Sequence, residues 1–167
     1  MKRNYYAKAG MIVLTALFLA AFTVSVAHAE KMKITGKNIS ENIVSQSTAA
    51  PGDKAGHMLT QTVTMSITTS SNVDWNNVKM FDVQHADQQG DTGTHLGYGY
   101  HLNKNGDKTF FKYWGTQKAI KDGMSLEGKF EWTGGTGKFQ SIKGGGAYTC
   151  KGGTTSNECD WEGEVEY

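Results

Sequence analysis

The last nine residues, "CDWEGEVEY", alternate strictly: Cys159, Trp161, Gly163, Val165 and Tyr167 fall on one face, and Asp160, Glu162, Glu164 and Glu166 on the other. A period of two is the mark of a half-buried β-strand. "SLEGKFEW" repeats it, with Leu126, Gly128, Phe130 and Trp132 opposite Glu127, Lys129 and Glu131. Further upstream, "HMLTQTVTMSITTS" sets Leu59, Val63, Met65 and Ile67 against Thr60, Thr62, Thr64, Ser66 and Thr68. "HLGYGYHL" and "KTFFKYWGT" flank "NKNGD", whose Asn-Gly step predicts a hairpin. "NVKMFDVQH" and "KMKIT" supply two further strands, whereas Lys37 to Lys54 has no clear period and is expected to be loop with at most one helical turn. Seven or eight short antiparallel strands in one domain predict an all-β barrel or sandwich with its apolar faces turned inward.

The beginning of the chain follows a different pattern. Lys2, Arg3 and Lys8 precede the apolar stretch "MIVLTALFLAAFTVSVA", which ends in Ala27-His28-Ala29. These are the charged, apolar and cleavage regions of a secretory signal peptide. Residues 1–29 are therefore expected to be removed, leaving residues 30–167 as one β-barrel domain, periplasmic or secreted. The apolar run approaches the length of a short transmembrane helix, so an anchor is the alternative reading. The small-residue exit favours cleavage and no stable membrane anchor. Cleavage leaves 14 basic against 16 acidic residues, a balance that argues against nucleic acid as a partner.

Cys150 and Cys159 are the two cysteines of the chain. Export makes their pairing the expectation, with two separate thiols as the alternative. If the bridge spans an antiparallel hairpin, Tyr148 faces Trp161, Gly146 faces Gly163, Gly144 faces Val165 and Lys143 faces Glu166. Aromatic then meets aromatic and opposite charges meet, an agreement that a one-residue slip would destroy. The glycines of "GGTGKFQSIKGGGAYTC" accordingly read as bends and turns of a curved sheet. A phosphate loop at "GGTGK" fails, because Phe139 rather than Ser or Thr follows Lys138, and Trp132 stands where the first glycine belongs.

Taken in order, "GYGYHLNKNGDKTFFKYWG", "EGKFEWTGGTGKFQSIKGGGAYT" and the terminal "WEGEVEY" resemble small exported bacterial proteins of the allene oxide cyclase-like barrel group, relatives of the dirigent barrels. The resemblance runs from Gly97 to Tyr167, about half of the mature chain. It implies a single antiparallel eight-stranded β-barrel of the calycin or allene oxide cyclase-like kind, with a largely apolar interior. Activities known on this barrel include cyclisation of an unstable epoxide fatty acid and stereochemical guidance of radical coupling. No segment matches the plant enzymes' catalytic residues, so neither reaction nor catalytic residue carries over, and fold alone does not give function. Related barrels often associate, which makes a homo-oligomer a further expectation.

Candidate chemistry divides into three sets. His85, His95 and His101 lie close to Asp82, Asp87 and Asp91 in the sequence. His95 and His101 share a face but stand roughly 20 Å apart along an extended strand, too far for one metal ion. His85 with Asp87 or Asp91 is then the remaining metal candidate, against the simpler reading of solvated loop residues; no metal site and no cofactor is expected. Glu127, Glu131, Glu162 and Glu164 alternate against apolar residues and read as a solvated outer face. The aromatic residues are the most informative: Tyr98, Tyr100, Phe130, Trp132, Tyr148 and Trp161, with Phe111 and Tyr113, come from several strands and could line an interior cavity. The leading reading is thus a barrel that binds a small apolar or aromatic ligand through these residues. A cyclase or isomerase using the same cavity is the second, and requires a polar group inside the barrel. A non-catalytic interaction protein using the "SNVDWNNVKM" and "DQQGDTGTH" loops is the third.

Overall fold

In the computed structural model, which describes residues 30–153 and 156–167, the chain forms one closed antiparallel barrel. The expected signal peptide lies outside the described residues. The strands are β1 (Met32–Ala49), β2 (His57–Ser70), β3 (Val78–Gln89), β4 (Thr92–Leu102), β5 (Lys108–Ile120), β6 (Gly123–Gly135), β7 (Lys143–Gly152) and β8 (Asn157–Glu166). Each pairs with its neighbour in sequence, and β8 closes on β1 from Met32 opposite Val165 to Ser40 opposite Asn157. A closed sheet has no free edge. The β7–β8 register is the one the cysteines imply: Cys150 is bonded to Cys159, and Tyr148–Trp161, Gly146–Gly163, Gly144–Val165 and Lys143–Glu166 stand opposite one another.

The expected loop from Lys37 onward is instead the second half of β1, and only the end of that segment forms a connection. Two register shifts, at Ser40/Asn42 and Ile43/Ser45, explain the difference. Each bulge moves the following side chains to the other face, so a continuous strand loses its period of two.

Interior space is divided between rings and glycines. Tyr113 lies opposite Gly97, Phe111 opposite Gly99, Tyr148 opposite Gly128 and Trp161 opposite Gly36. In all four cases a methyl group on the glycine would collide with the facing aromatic side chain. The pairing also decides which face of β4 is inside: His95 and His101 are buried at either end of the strand, and Gly97 and Gly99 leave room between them.

The expectation of apolar faces inward therefore fails on β2 and β4. Thr64, Ser66 and Thr68 of β2 are buried, whereas Leu59, Met65 and Ile67 are exposed. On the outer surface Met65, Phe81, Tyr100 and Phe110 form one cross-strand row, and Val63, Val83 and Tyr98 a second. The inner face of β2 is polar, while Ile34 of β1 and Val78 and Met80 of β3 join the apolar core, so the interior is mixed.

The end of the barrel that carries both termini of the domain is sealed. Trp75, from the turn between β2 and β3, is fully buried against Trp132 (5.3 Å between ring centroids), Phe139 (5.4 Å) and Tyr167 (5.6 Å). Asp74 beside it accepts hydrogen bonds from Lys138 Nζ and the Tyr167 hydroxyl, both at 2.6 Å. The "SNVDWNN" segment is thus a plug rather than a free loop, and most of "DQQGDTGTH" belongs to β3 and β4. The "GGTGK" glycines serve the same seal, because the short 3-10 turn Gly137–Phe139 drives Phe139 into the core.

The ring-and-glycine rule has a direct test. Gly97→Ala is expected to destabilise the fold by about 1–3 kcal/mol through overpacking against Tyr113. Adding Tyr113→Val to that variant is expected to recover part of the loss, a coupling that denaturant unfolding of the two single variants and the double variant would measure.

Candidate functional site

Above the plug the barrel holds a cavity of about 520 Å³ that opens toward the β1–β2, β3–β4, β5–β6 and β7–β8 connections. Phe111, Phe130, Trp132 and Trp161 form its aromatic side; Thr60, Thr62, Thr64 and Gln84 form much of the other. The disulfide and Met124 stand near the mouth. Among the described residues no Lys or Arg lines it.

A polar cluster occupies the middle of this wall. Asp82 of β3 is buried and accepts hydrogen bonds from the Tyr113 hydroxyl at 2.5 Å and from the Thr64 hydroxyl. The Tyr148 hydroxyl and His95 Nε2 are 2.5 Å apart. Tyr113 and Tyr148 meet edge to face at 5.9 Å, and the His95 ring lies 6.0 Å from Tyr148 and 6.2 Å from Tyr113. The strand order brings these groups together: Gly97 and Gly99 leave space across which a β3 carboxyl and β5 and β7 phenols converge.

Burial sets the protonation of the cluster. It pushes the Asp82 carboxyl above the ordinary aspartate value, against the opposing hydrogen bonds from Thr64 and Tyr113. It raises the Tyr113 and Tyr148 phenols, with the nearby Asp82 charge acting in the same direction. It lowers the His95 imidazole to about 4 and that of His101 to about 3. At neutral pH His95, His101, Tyr113 and Tyr148 are therefore uncharged, and they offer hydrogen bonds rather than charge.

Of the residues expected to contact a ligand, Phe130, Trp132, Tyr148 and Trp161 line the cavity. Tyr98 and Tyr100 do not: Tyr98 is 59% exposed, and Tyr100 stacks on Phe81 with Lys108 Nζ 4.5 Å from its ring centroid. Period two makes this unavoidable once His95, Gly97, Gly99 and His101 take the inner positions. Asp82 and His95, weighed in the sequence only as members of a His/Asp metal cluster, are interior. The sequence signal was the spacing His-x-Gly-x-Gly-x-His, in which the small residues mark the inner face. His85 is exposed on β3, and among the described residues no group of three or more His, Cys, Asp or Glu side chains is arranged to hold a metal ion.

No family model matches the chain, and no curated protein does. Among solved structures, two pterocarpan synthase dirigent proteins share the fold. PsPTS1 superposes with a TM-score of 0.52 at 10% identity, over 84% of this chain and 97% of its own. GePTS1 gives 0.51 at 11% identity, over 85% and 94%. At that identity the likeness is one of fold: the chain has an eight-stranded antiparallel barrel like that of these dirigent proteins.

The buried histidines predict a loss of stability in acid. Below about pH 6.5 the unfolded chain protonates imidazoles that the folded barrel keeps neutral down to about 4 and 3, so stability falls as pH drops through that window. Asp82 acts in the opposite sense, because a carboxyl raised by burial costs stability as pH climbs past the ordinary aspartate value. Asp82→Asn removes that opposing carboxyl and leaves the two imidazoles, each on the order of 3 kcal/mol, to set the slope. In the Asp82→Asn variant melting temperatures should fall steadily between pH 6.5 and 4, and a flat profile there would contradict the assignment.

Proposed function

We propose that this chain is an exported binding barrel that takes a small, mainly apolar or aromatic molecule into its interior. One observation carries the reading: an open cavity of about 520 Å³ combines aromatic walls with a few convergent polar groups, the usual composition of a small-molecule site. The likeness to pterocarpan synthase dirigent proteins supports an interior site by analogy of fold. So does the resemblance to allene oxide cyclase-like barrels. Export rests on the signal-like residues 1–29. The exposed apolar rows on β2 to β5 support association between copies of the chain.

A second reading, a cyclase or isomerase, is favoured by Asp82. A buried carboxyl with a raised pKa, in the wall of a cavity and held by a phenol and a hydroxyl, has the attributes of a proton donor. In that case the barrel would supply orientation as well as the proton.

One titration addresses both. A neutral naphthalene ketone fluorophore should bind the wild type saturably and quench Trp132 and Trp161 fluorescence. Thr62→Phe, which projects into the middle of the cavity, should weaken binding by about tenfold or more. Asp82→Asn should retain probe binding, and under the second reading it should abolish turnover of any converted substrate. Non-saturable quenching that Thr62→Phe leaves unchanged would refute an interior site.

A further inference from the structure

The inner end of the cavity contains two nitrogen atoms whose hydrogen bonding is incomplete. His101 Nε2 and Trp132 Nε1 are buried, and neither has a hydrogen-bond partner among the described residues. Both side chains line the cavity, with ring centroids 5.8 Å apart. His101 is level with Met80 on one side and Thr109 on the other, directly above the Trp75 plug.

The local hydrogen bonds decide what these atoms offer. Trp132 Nε1 can only donate. Burial keeps His101 neutral, so it carries a single N–H. Trp75 Nε1 donates to Thr109 Oγ1 at 3.2 Å, and the same oxygen lies 3.5 Å from His101 Nδ1. The Thr109 hydroxyl keeps one hydrogen to give, and Nδ1 is placed to accept it. With Nδ1 accepting, the imidazole proton sits on Nε2. The floor then presents two donors; Asn103 Oδ1 is also unpartnered but does not line the cavity, and buried donors without partners are costly. Trp75 and Phe139 seal the closed end, so an acceptor has to arrive from the cavity side.

Charge narrows the class of molecule. With no Lys or Arg in the lining and the Asp82 carboxyl in the wall, a carboxylate ligand would be buried without a countercharge. We propose that His101 Nε2 and Trp132 Nε1 form a subsite for one acceptor oxygen, of the ketone, ether or phenol type, at the inner end of an uncharged ligand. The inference rests on the binding reading above and adds the polarity and orientation of the ligand. It separates this cavity from one built for fatty acid anions.

Three probes of nearly equal shape test it: 2-acetylnaphthalene, 2-ethylnaphthalene and 2-naphthoate. The wild type should bind the ketone about tenfold tighter than the hydrocarbon and the carboxylate most weakly. In proton–nitrogen NMR spectra the Trp132 indole N–H resonance, assigned with Trp132→Phe, should move downfield with the ketone and stay in place with the hydrocarbon. Trp132→Phe should lose the preference for the ketone, while the wild-type series stands by itself if that variant does not fold. Equal binding of ketone and hydrocarbon, with no indole shift, would overturn the subsite and leave the binding barrel standing; a buried water would then be the partner of the two donors. Tightest binding of the carboxylate would overturn the neutrality of the ligand. Failure of all three probes to bind would overturn the binding reading, and the subsite with it.

Discussion

Four interior rings of this barrel stand across from residues without side chains, and the rest of the architecture depends on that arrangement. Tyr113, Phe111, Tyr148 and Trp161 occupy space left by Gly97, Gly99, Gly128 and Gly36. A small barrel has a fixed interior volume, so large and small residues must alternate around it. Once these pairs are set, the inner face of β4 through β8 follows, and closure through β1 and β8 carries the choice to β2 and β3. Threonines and serines then face inward on β2 while methionine, leucine and isoleucine face solvent. Hydropathy alone would orient that strand the other way.

The same arrangement produces the chemistry. Gly97 on β4 and Gly128 on β6 leave room for the phenols of β5 and β7, so Asp82, Tyr113, Tyr148 and His95 gather although they lie on four different strands. Water is largely excluded from these groups, which strengthens each hydrogen bond and disfavours each charge. The cluster thus offers donors and acceptors within an aromatic surround. The sealed end, held by Trp75 and by the Asp74, Lys138 and Tyr167 contacts, gives the cavity a floor and a single direction of entry.

Much of the scaffold is legible in the sequence. The alternation of "CDWEGEVEY" and the two cysteines are enough to specify β8 and its register with β7, because one covalent constraint orders every neighbouring pair. The Asn-Gly turn marks the β4–β5 hairpin, where Gly106 adopts a positive φ. The start of β1 is legible as "KMKIT", but its second half is not, since two bulges erase the period on which strand reading depends. Tyr98 and Tyr100 read as inward because aromatics are ordinarily buried, yet the space they would need belongs to Tyr113 and Phe111 from the neighbouring strand. Asp82 is hidden for a related reason: its partners come from β2 and β5, and only the closed topology brings them within reach.

The most direct test of an interior site for an uncharged small molecule is native mass spectrometry of the protein purified from its own cells, compared with its mass after solvent extraction. The account predicts a stoichiometric mass difference from a releasable, uncharged compound bearing an acceptor oxygen. A bare polypeptide mass from those cells, unchanged when neutral aromatic ketones are added in excess, would contradict it.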